Sequence, residues 1–258
     1  MDRTEGGGGD RQANETLDAL LGGRIRLRQP RRGYRAGMDA ALLAAACDAA
    51  PSARVFEAGC GVGGVLLAAA ARRPQAAFTG MEADESALAL ARENVEINGM
   101  GERVTVLPGT VAAPFTRLGL PHFDAAMANP PFFDDDDALR GPDQSKRAAW
   151  IAADGLAAWV GFLLKSVREG GAITLIHRAD RLADVLGLLA PKAGSVQVRP
   201  VHPFSDAPAK RIVIRAVKGG RAPLRLAPPL VLHGRDTPAK HTPEAEAILR
   251  GEAALDWL

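Results

Sequence analysis

The stretch Val55-Phe56-Glu57-Ala58-Gly59-Cys60-Gly61-Val62-Gly63-Gly64 narrows the possible folds of this chain more than any other. A short run of β-forming residues gives way to four glycines within six positions, and an Ala/Leu-rich helical run follows at once. Glycine lets the backbone turn sharply and lets a ligand approach with no Cβ in the way. A strand–turn–helix of this kind opens a doubly wound α/β sheet, in which ligands bind beyond the carboxyl ends of the strands. The alternation then continues. Strands are predicted at 54–58, 77–82, 104–107, 123–128 and 172–177, and helices at 61–71, 85–97, 146–168 and about 180–190. Residues 195–201 and 211–217 read as an antiparallel hairpin. Strands and helices alternating at these lengths predict a Rossmann-like parallel sheet with helices on both faces.

Upstream, residues 1–14 are polar and contain Gly6–Gly9, the composition of a disordered tail. Thr16 can cap a short helix through Leu21, ended by Gly22-Gly23. Arg24-Ile25-Arg26-Leu27-Arg28 alternates with the period of a half-buried strand, Pro30 and Gly33 make a turn, and 38–47 reads as a helix. Residues 15–53 thus form a basic N-terminal extension of hairpin and helix, ahead of the main domain at 54–258. Beyond 226, Pro228-Pro229 suggests a loop, and Thr242-Pro243-Glu244 starts a short final helix with proline in its first turn.

Two cofactors fit the glycine turn. Gly59, Gly61 and Gly64 satisfy the dinucleotide spacing, with Glu82 about 20 residues further on. Glu57, Gly59, Gly61 and Gly63 equally satisfy the acid-x-Gly-x-Gly-x-Gly pattern associated with S-adenosylmethionine. Glu57 favours the second, because an acid just before the first glycine repels a pyrophosphate but suits a cationic methionine end. Glu82, at the end of the next strand, can accept bonds from both ribose hydroxyls. Cys60, inside the turn, reads as a small packing residue and not as a nucleophile.

The second informative element is Asn129-Pro130-Pro131-Phe132, placed after the strand at 123–128. Two consecutive prolines fix the backbone and remove two N–H groups, which aims the Pro130 carbonyl in one direction. Asn129 adds a side-chain acceptor beside it. Two adjacent acceptors can hold both hydrogens of one planar NH2 group and favour the pyramidal nitrogen that attacks a methyl group. No proton need be removed beforehand. Phe132 can stack on a flat acceptor, worth roughly 1–3 kcal/mol for a nucleobase.

Together these motifs resemble the class I S-adenosylmethionine-dependent amino methyltransferases. Residues 27–44, Leu175-Ile176-His177-Arg178, Pro208-Ala209-Lys210-Arg211 and Leu230-Val231-Leu232-His233 further resemble the bacterial tRNA adenine-N6 methyltransferases that modify a valine tRNA beside its anticodon. The resemblance implies a seven-stranded sheet whose last strand is antiparallel. It implies that Tyr34, Arg35 and Asp39 lie near the methionine end of the cofactor, and that Asn129, Pro130, Pro131 and Phe132 hold the target adenine. The base must leave any stack to reach them, which is easier in an anticodon loop whose bases are already unpaired. Two departures stand out. An acid that usually follows the third strand is replaced by Thr110, which offers a hydroxyl to the cofactor. The acidic run Asp134–Asp137 directly follows the acceptor motif and reads as a solvated loop. His177 reads as a structural histidine, and Trp150 and Trp159 as core.

Charge and cysteine content set the remaining expectations. The net charge is only +2, but residues 24–35 carry six arginines and no acid, and residues 199–225 carry seven cations against Asp206. These segments can form one face that attracts RNA phosphates. Two cysteines, Cys47 and Cys60, exclude a disulfide scaffold and a four-thiolate zinc site, and suit a reducing cytoplasm. No run approaches the ~18 apolar residues of a membrane span, and the N-terminus lacks an apolar signal region. No metal is expected, and no oligomer is required. The alternatives are methylation of a glutamine amide in a protein such as a release factor, methylation of guanine N2 in rRNA, an RNA-binding module that kept a cofactor fold, and an oxidoreductase.

Overall fold

The structure is a computed structural model, and it describes residues 14–32, 35–132, 155–235 and 238–257. Its centre is a mostly parallel sheet. Strands β3 (Arg54–Ala58), β4 (Ala77–Glu82), β5 (Val104–Pro108), β6 (Phe123–Ala128) and β7 (Val167–Arg178) run parallel in the order β7-β6-β3-β4-β5. β9 (Arg211–Lys218) lies antiparallel beside β7, and β8 (Ala193–His202) pairs antiparallel with it on the far side. These seven strands reproduce the expected sheet, with the last strand reversed. Two further two-residue strands, β10 (Arg225–Leu226) and β11 (Leu230–Val231), extend it along β8, so among the described residues the sheet has nine strands.

Helices cover both faces. α1 (Met38–Ala45), α2 (Gly64–Arg72), α3 (Glu85–Ile97) and α6 (Pro243–Leu249) pack into one apolar cluster, with Val55, Phe78 and Met127 from the sheet. α4 (Leu156–Ser166) and α5 (Leu182–Leu189) pack into the other, with Phe56, Ala126 and Ile173. Neighbours such as Val55 and Phe56 therefore point into different cores, and both are fully buried. That explains why these strands read as continuous apolar runs and do not alternate. α3 begins on Asp84, whose side chain accepts the Ala87 N–H at 2.8 Å, and α6 begins on Thr242 in the same way.

Two expectations are corrected. Residues 15–20 form a strand, β1 (Glu15–Leu20), and not a helix capped by Thr16. β1 pairs antiparallel with β2 (Ile25–Pro30). Gly22 and Gly23, both at positive φ, turn the chain back instead of ending a helix, and the Thr16 hydroxyl donates to Asp18 at 2.9 Å. The alternating β2 needed a partner, which the Gly-Gly pair supplies. The helix expected over 146–168 ends at Ser166, because Val167 already belongs to β7. Val167 pairs with Phe123, with a register shift before Ala125. The start of that helix, Trp150, Asp134–Asp137, Tyr34 and all but the last residue of the tail expected over 1–14 lie outside the described residues.

Among the described residues no helix is long and apolar enough to cross a membrane, and no cluster of three or more His, Cys, Asp or Glu could hold a metal.

Candidate cofactor and acceptor site

The chain leaves β3 for β4 and β5 on one side and returns to β6 on the other. The sheet therefore has its topological switch point between β3 and β6, the place where such folds bind ligands. In the register of this pair Ala58 faces Ala128. The next residues are Gly59 and Asn129, so the two motifs of the sequence emerge side by side, one strand spacing of about 4.8 Å apart.

The glycine turn is tightly made. Gly59, Gly61 and Gly63 all have positive φ, at 64°, 54° and 89°. The Cys60 N–H donates to the Met81 carbonyl at 2.9 Å, and the Gly63 N–H to the Cys60 carbonyl at 2.8 Å. The Glu82 carboxylate, at the end of β4, accepts from Gly61 N–H at 2.8 Å, and from Ala83 and Asp84 N–H at 2.8 and 2.9 Å. Its Oε1 already accepts two N–H groups, while Oε2 accepts one and keeps capacity for a further donor. Cys60 is buried, and burial followed by the charges of Glu57 and Glu82 pushes its thiol up, against any nucleophilic role.

Glu57 is 1% exposed, and its Oε2 meets no hydrogen-bond donor among the described residues. Burial first, and the Glu82 charge second, raise its carboxyl well above the usual range, opposed only by a backbone hydrogen bond at Leu66. An opposite charge placed beside such a carboxyl would favour its ionised form. The cleft before it is lined by Ala36, Ala40, Glu57, Gly59, Gly61 and Asn129, among others. Asn129 and Glu57 thus share one cavity, and a Cβ at Gly61 would meet nothing within 4 Å.

The Methyltransferase small domain family matches residues 35–141. A crystal structure of a predicted O-methyltransferase from Agrobacterium tumefaciens superposes with a TM-score of 0.70 at 26% identity, covering 84% of this chain and 97% of that one. The chain has the class I S-adenosylmethionine-dependent methyltransferase fold and resembles that family. The residues present fit that cofactor. The unpartnered Glu57 Oε2 suits its ammonium group, Glu82 its ribose, and the Cβ-free surface at Gly61 a close approach. Among relatives of this chain, the release factor glutamine methyltransferase of Chlorobaculum tepidum is 27% identical over 165 residues, 61% of this chain and 56% of that one. The tRNA1(Val) (adenine(37)-N6)-methyltransferase of Trichodesmium erythraeum is 26% identical over 202 residues, 74% of this chain and 81% of that one. The chain spans little more than half the length of the first of these.

Other expected site residues have partners of their own in this structure. Arg35 donates to the Pro30 carbonyl at 2.9 Å and to Asp18 at 2.5 Å, which ties it to the hairpin. Asp39 accepts from Arg211 Nε at 3.1 Å. Thr110 Oγ1 accepts the Ala112 N–H at 3.3 Å in a local turn. Phe132 is packed edge-on by His177, with ring centroids 5.2 Å apart and an interplanar angle of 82°. Arg211 holds its guanidinium carbon 4.5 Å from the Phe132 ring centre. Arg211 was absent from the residues singled out for the site. Its sequence signals are the basic stretch 199–225 and the Pro208-Ala209-Lys210-Arg211 segment, whose place beside Phe132 depends on β9 lying next to β7. The Arg211–Asp39 pair also joins the second basic segment to the helix that follows the first. Several other cations are neutralised within the fold, Arg28 by Glu15 and Glu93, and Arg215 by Asp48. Arg31, Arg32 and Lys210 are exposed.

Proposed function

We propose that this methyltransferase transfers a methyl group from S-adenosylmethionine to the exocyclic N6 of an adenine in the anticodon loop of a tRNA. The observation that carries the reading is the shared cleft of Glu57 and Asn129, with Phe132 three residues on. When bound, the cofactor supplies an electrophilic methyl group on a sulfonium centre. Glu57 would hold the ammonium group, Glu82 the ribose hydroxyls, and the backbone from Gly59 to Gly63 the cofactor's main body. Asn129 Oδ1 and the Pro130 carbonyl would each accept one hydrogen of the acceptor NH2. That grip favours a pyramidal nitrogen, so stabilisation is greater in the transition state than in the ground state. No side chain need remove a proton first, and the product nitrogen releases one to water. Phe132 would stack on the base, and a cationic surround that includes Arg211 and the exposed Arg31, Arg32 and Lys210 suits a polyanion.

A second reading is methylation of a glutamine amide in a protein, supported by the likeness to the Chlorobaculum enzyme. A planar amide NH2 fits the same two acceptors. Incubation with labelled cofactor and either unmodified tRNA or a release factor separates the two. N6-methyladenosine in the digested tRNA is expected, and Asn129→Ala should abolish its formation while cofactor binding survives. N2-methylguanosine, or label confined to protein, rejects the adenine assignment.

A further inference from the structure

Phe132 is the one aromatic group of the acceptor motif among the described residues; two other elements meet its ring, and a third holds one of them. His177 comes from the carboxyl end of β7, Arg211 from the start of β9, and Asp39 from the first turn of α1. The β7–β9 register brings the first two together, because His177 faces Ile212 and Arg178 faces Arg211. Arg211 is 30% exposed and Asp39 18%, so their ion pair is partly shielded from water. The guanidinium is held at two points, by Asp39 at 3.1 Å and by the Lys210 carbonyl at 3.2 Å. A planar cation within about 6 Å of an aromatic ring is attracted to the ring face. The buried edge of His177 blocks the ring from turning on another side.

We infer that Arg211 is a positioning residue of the acceptor site: gripped by Asp39, it fixes the Phe132 ring so that a flat acceptor can stack on it. The inference rests on the acceptor reading proposed above and deepens it. It also moves Asp39 from the cofactor side, where the family resemblance put it, to the acceptor side. Lysine at 211 keeps the charge but loses the planar fork that meets both carboxylate and ring.

The test compares wild type, Arg211→Gln, Arg211→Lys, Asp39→Asn and Phe132→Ala, with unmodified tRNA as acceptor and calorimetry for S-adenosylmethionine. Arg211→Gln is expected to raise the KM for tRNA about tenfold, with kcat reduced less than about threefold and cofactor affinity unchanged. Arg211→Lys should fall between, and Asp39→Asn should resemble Arg211→Gln. In a Phe132→Ala background, Arg211→Gln should add little, because its target ring is gone. A KM within twofold of wild type in Arg211→Gln, full additivity with Phe132→Ala, or a tenfold loss of cofactor affinity in Asp39→Asn overturns the inference alone. Absence of transfer to tRNA by the wild-type protein rejects the acceptor reading, and this inference with it.

Discussion

Trp159 occupies the space that any side chain at Gly59 would need: a Cβ there would lie 2.3 Å from the far edge of the indole. The ring comes from α4, on the opposite face from α2, and is 2% exposed, so it cannot swing into solvent. Gly59 is also at φ +64°, where a β-carbon is strained even in open space. Gly59→Ala is therefore expected to cost about 2–4 kcal/mol in stability, and to weaken cofactor binding at least tenfold by pushing the turn into the cleft. Chemical denaturation and calorimetry measure the two effects. A Gly59→Ala protein that unfolds at the wild-type denaturant concentration shows that the turn is not set by this contact.

The charge of Glu82 reaches Glu57, which is buried and has one carboxylate oxygen without a partner among the described residues. A raised carboxyl pKa in the folded state favours folding at low pH, and that advantage is lost as pH rises from the ordinary value near 4.5 through the folded one. Removing the acid with Glu57→Gln is thus expected to leave the ligand-free protein as stable at neutral pH, or more so. The same change should weaken S-adenosylmethionine binding by at least tenfold, because the ammonium loses its counter-charge. Binding to wild type should release a proton as the ammonium draws Glu57 into its charged form. Calorimetry in buffers of differing ionisation enthalpy reads that proton directly. Equal heats in all buffers mean that Glu57 is already ionised before binding.

The parts of this architecture visible in the sequence are those encoded by neighbouring residues. β3, β4, α3 and β6 are found where the alternation and the caps place them, because Asp84, Asn98 and the glycines mark their ends locally. The edge of the site that holds Glu57 and Asn129 was readable for the same reason: each motif directly follows a strand. What could not be read is what depends on strand order. Arg211 reaches Phe132 only because β9 returns antiparallel beside β7, a pairing that matches His177 with Ile212, 35 positions apart, and Arg178 with Arg211, 33 positions apart. Thr16 misled because a hydroxyl that could cap a helix bonds Asp18 in a hairpin instead, a choice made by the packing of β2 against α3.

Asn94 is the residue that makes that packing. It is fully buried on α3, and its side chain takes the place of a neighbouring strand for β2. Its Oδ1 accepts the Arg28 N–H at 2.7 Å, while Nδ2 donates to the Arg28 carbonyl and to the Val62 carbonyl, both at 2.9 Å. Asn98, one turn on, does the same for Arg26 at a more exposed position. Asn94→Ala strands three backbone groups, two of them belonging to the hairpin and one to the glycine turn, and is expected to cost about 2–4 kcal/mol. Asn98→Ala should cost less than half of that, since water can replace its bonds. Hydrogen exchange at Arg28 should accelerate in Asn94→Ala. Protection of the Arg28 amide at the wild-type level assigns the anchoring of the hairpin to apolar contacts alone.

His177 is 2% exposed, and neither ring nitrogen has a partner among the described residues. Burial first, and the nearby Arg181 second, lower its pKa from 6.5 to about 4, so the ring against Phe132 is neutral at physiological pH. The unfolded chain takes up a proton near pH 6.5 and the folded chain only near 4. Between those values the unfolded state holds more protons, and stability falls as pH drops. Above pH 6.5 neither state is protonated at this position and the effect vanishes, while the full loss, about 3 kcal/mol, is reached near pH 4. His177→Phe keeps a ring against Phe132 and removes both unsatisfied nitrogens. It is expected to match or exceed wild-type stability at pH 7 and to lose stability more slowly than wild type between pH 6.5 and 4. Urea midpoints of the two proteins across that range give the comparison with the carboxylates held in common. Parallel curves would trace the acid sensitivity to groups other than this imidazole.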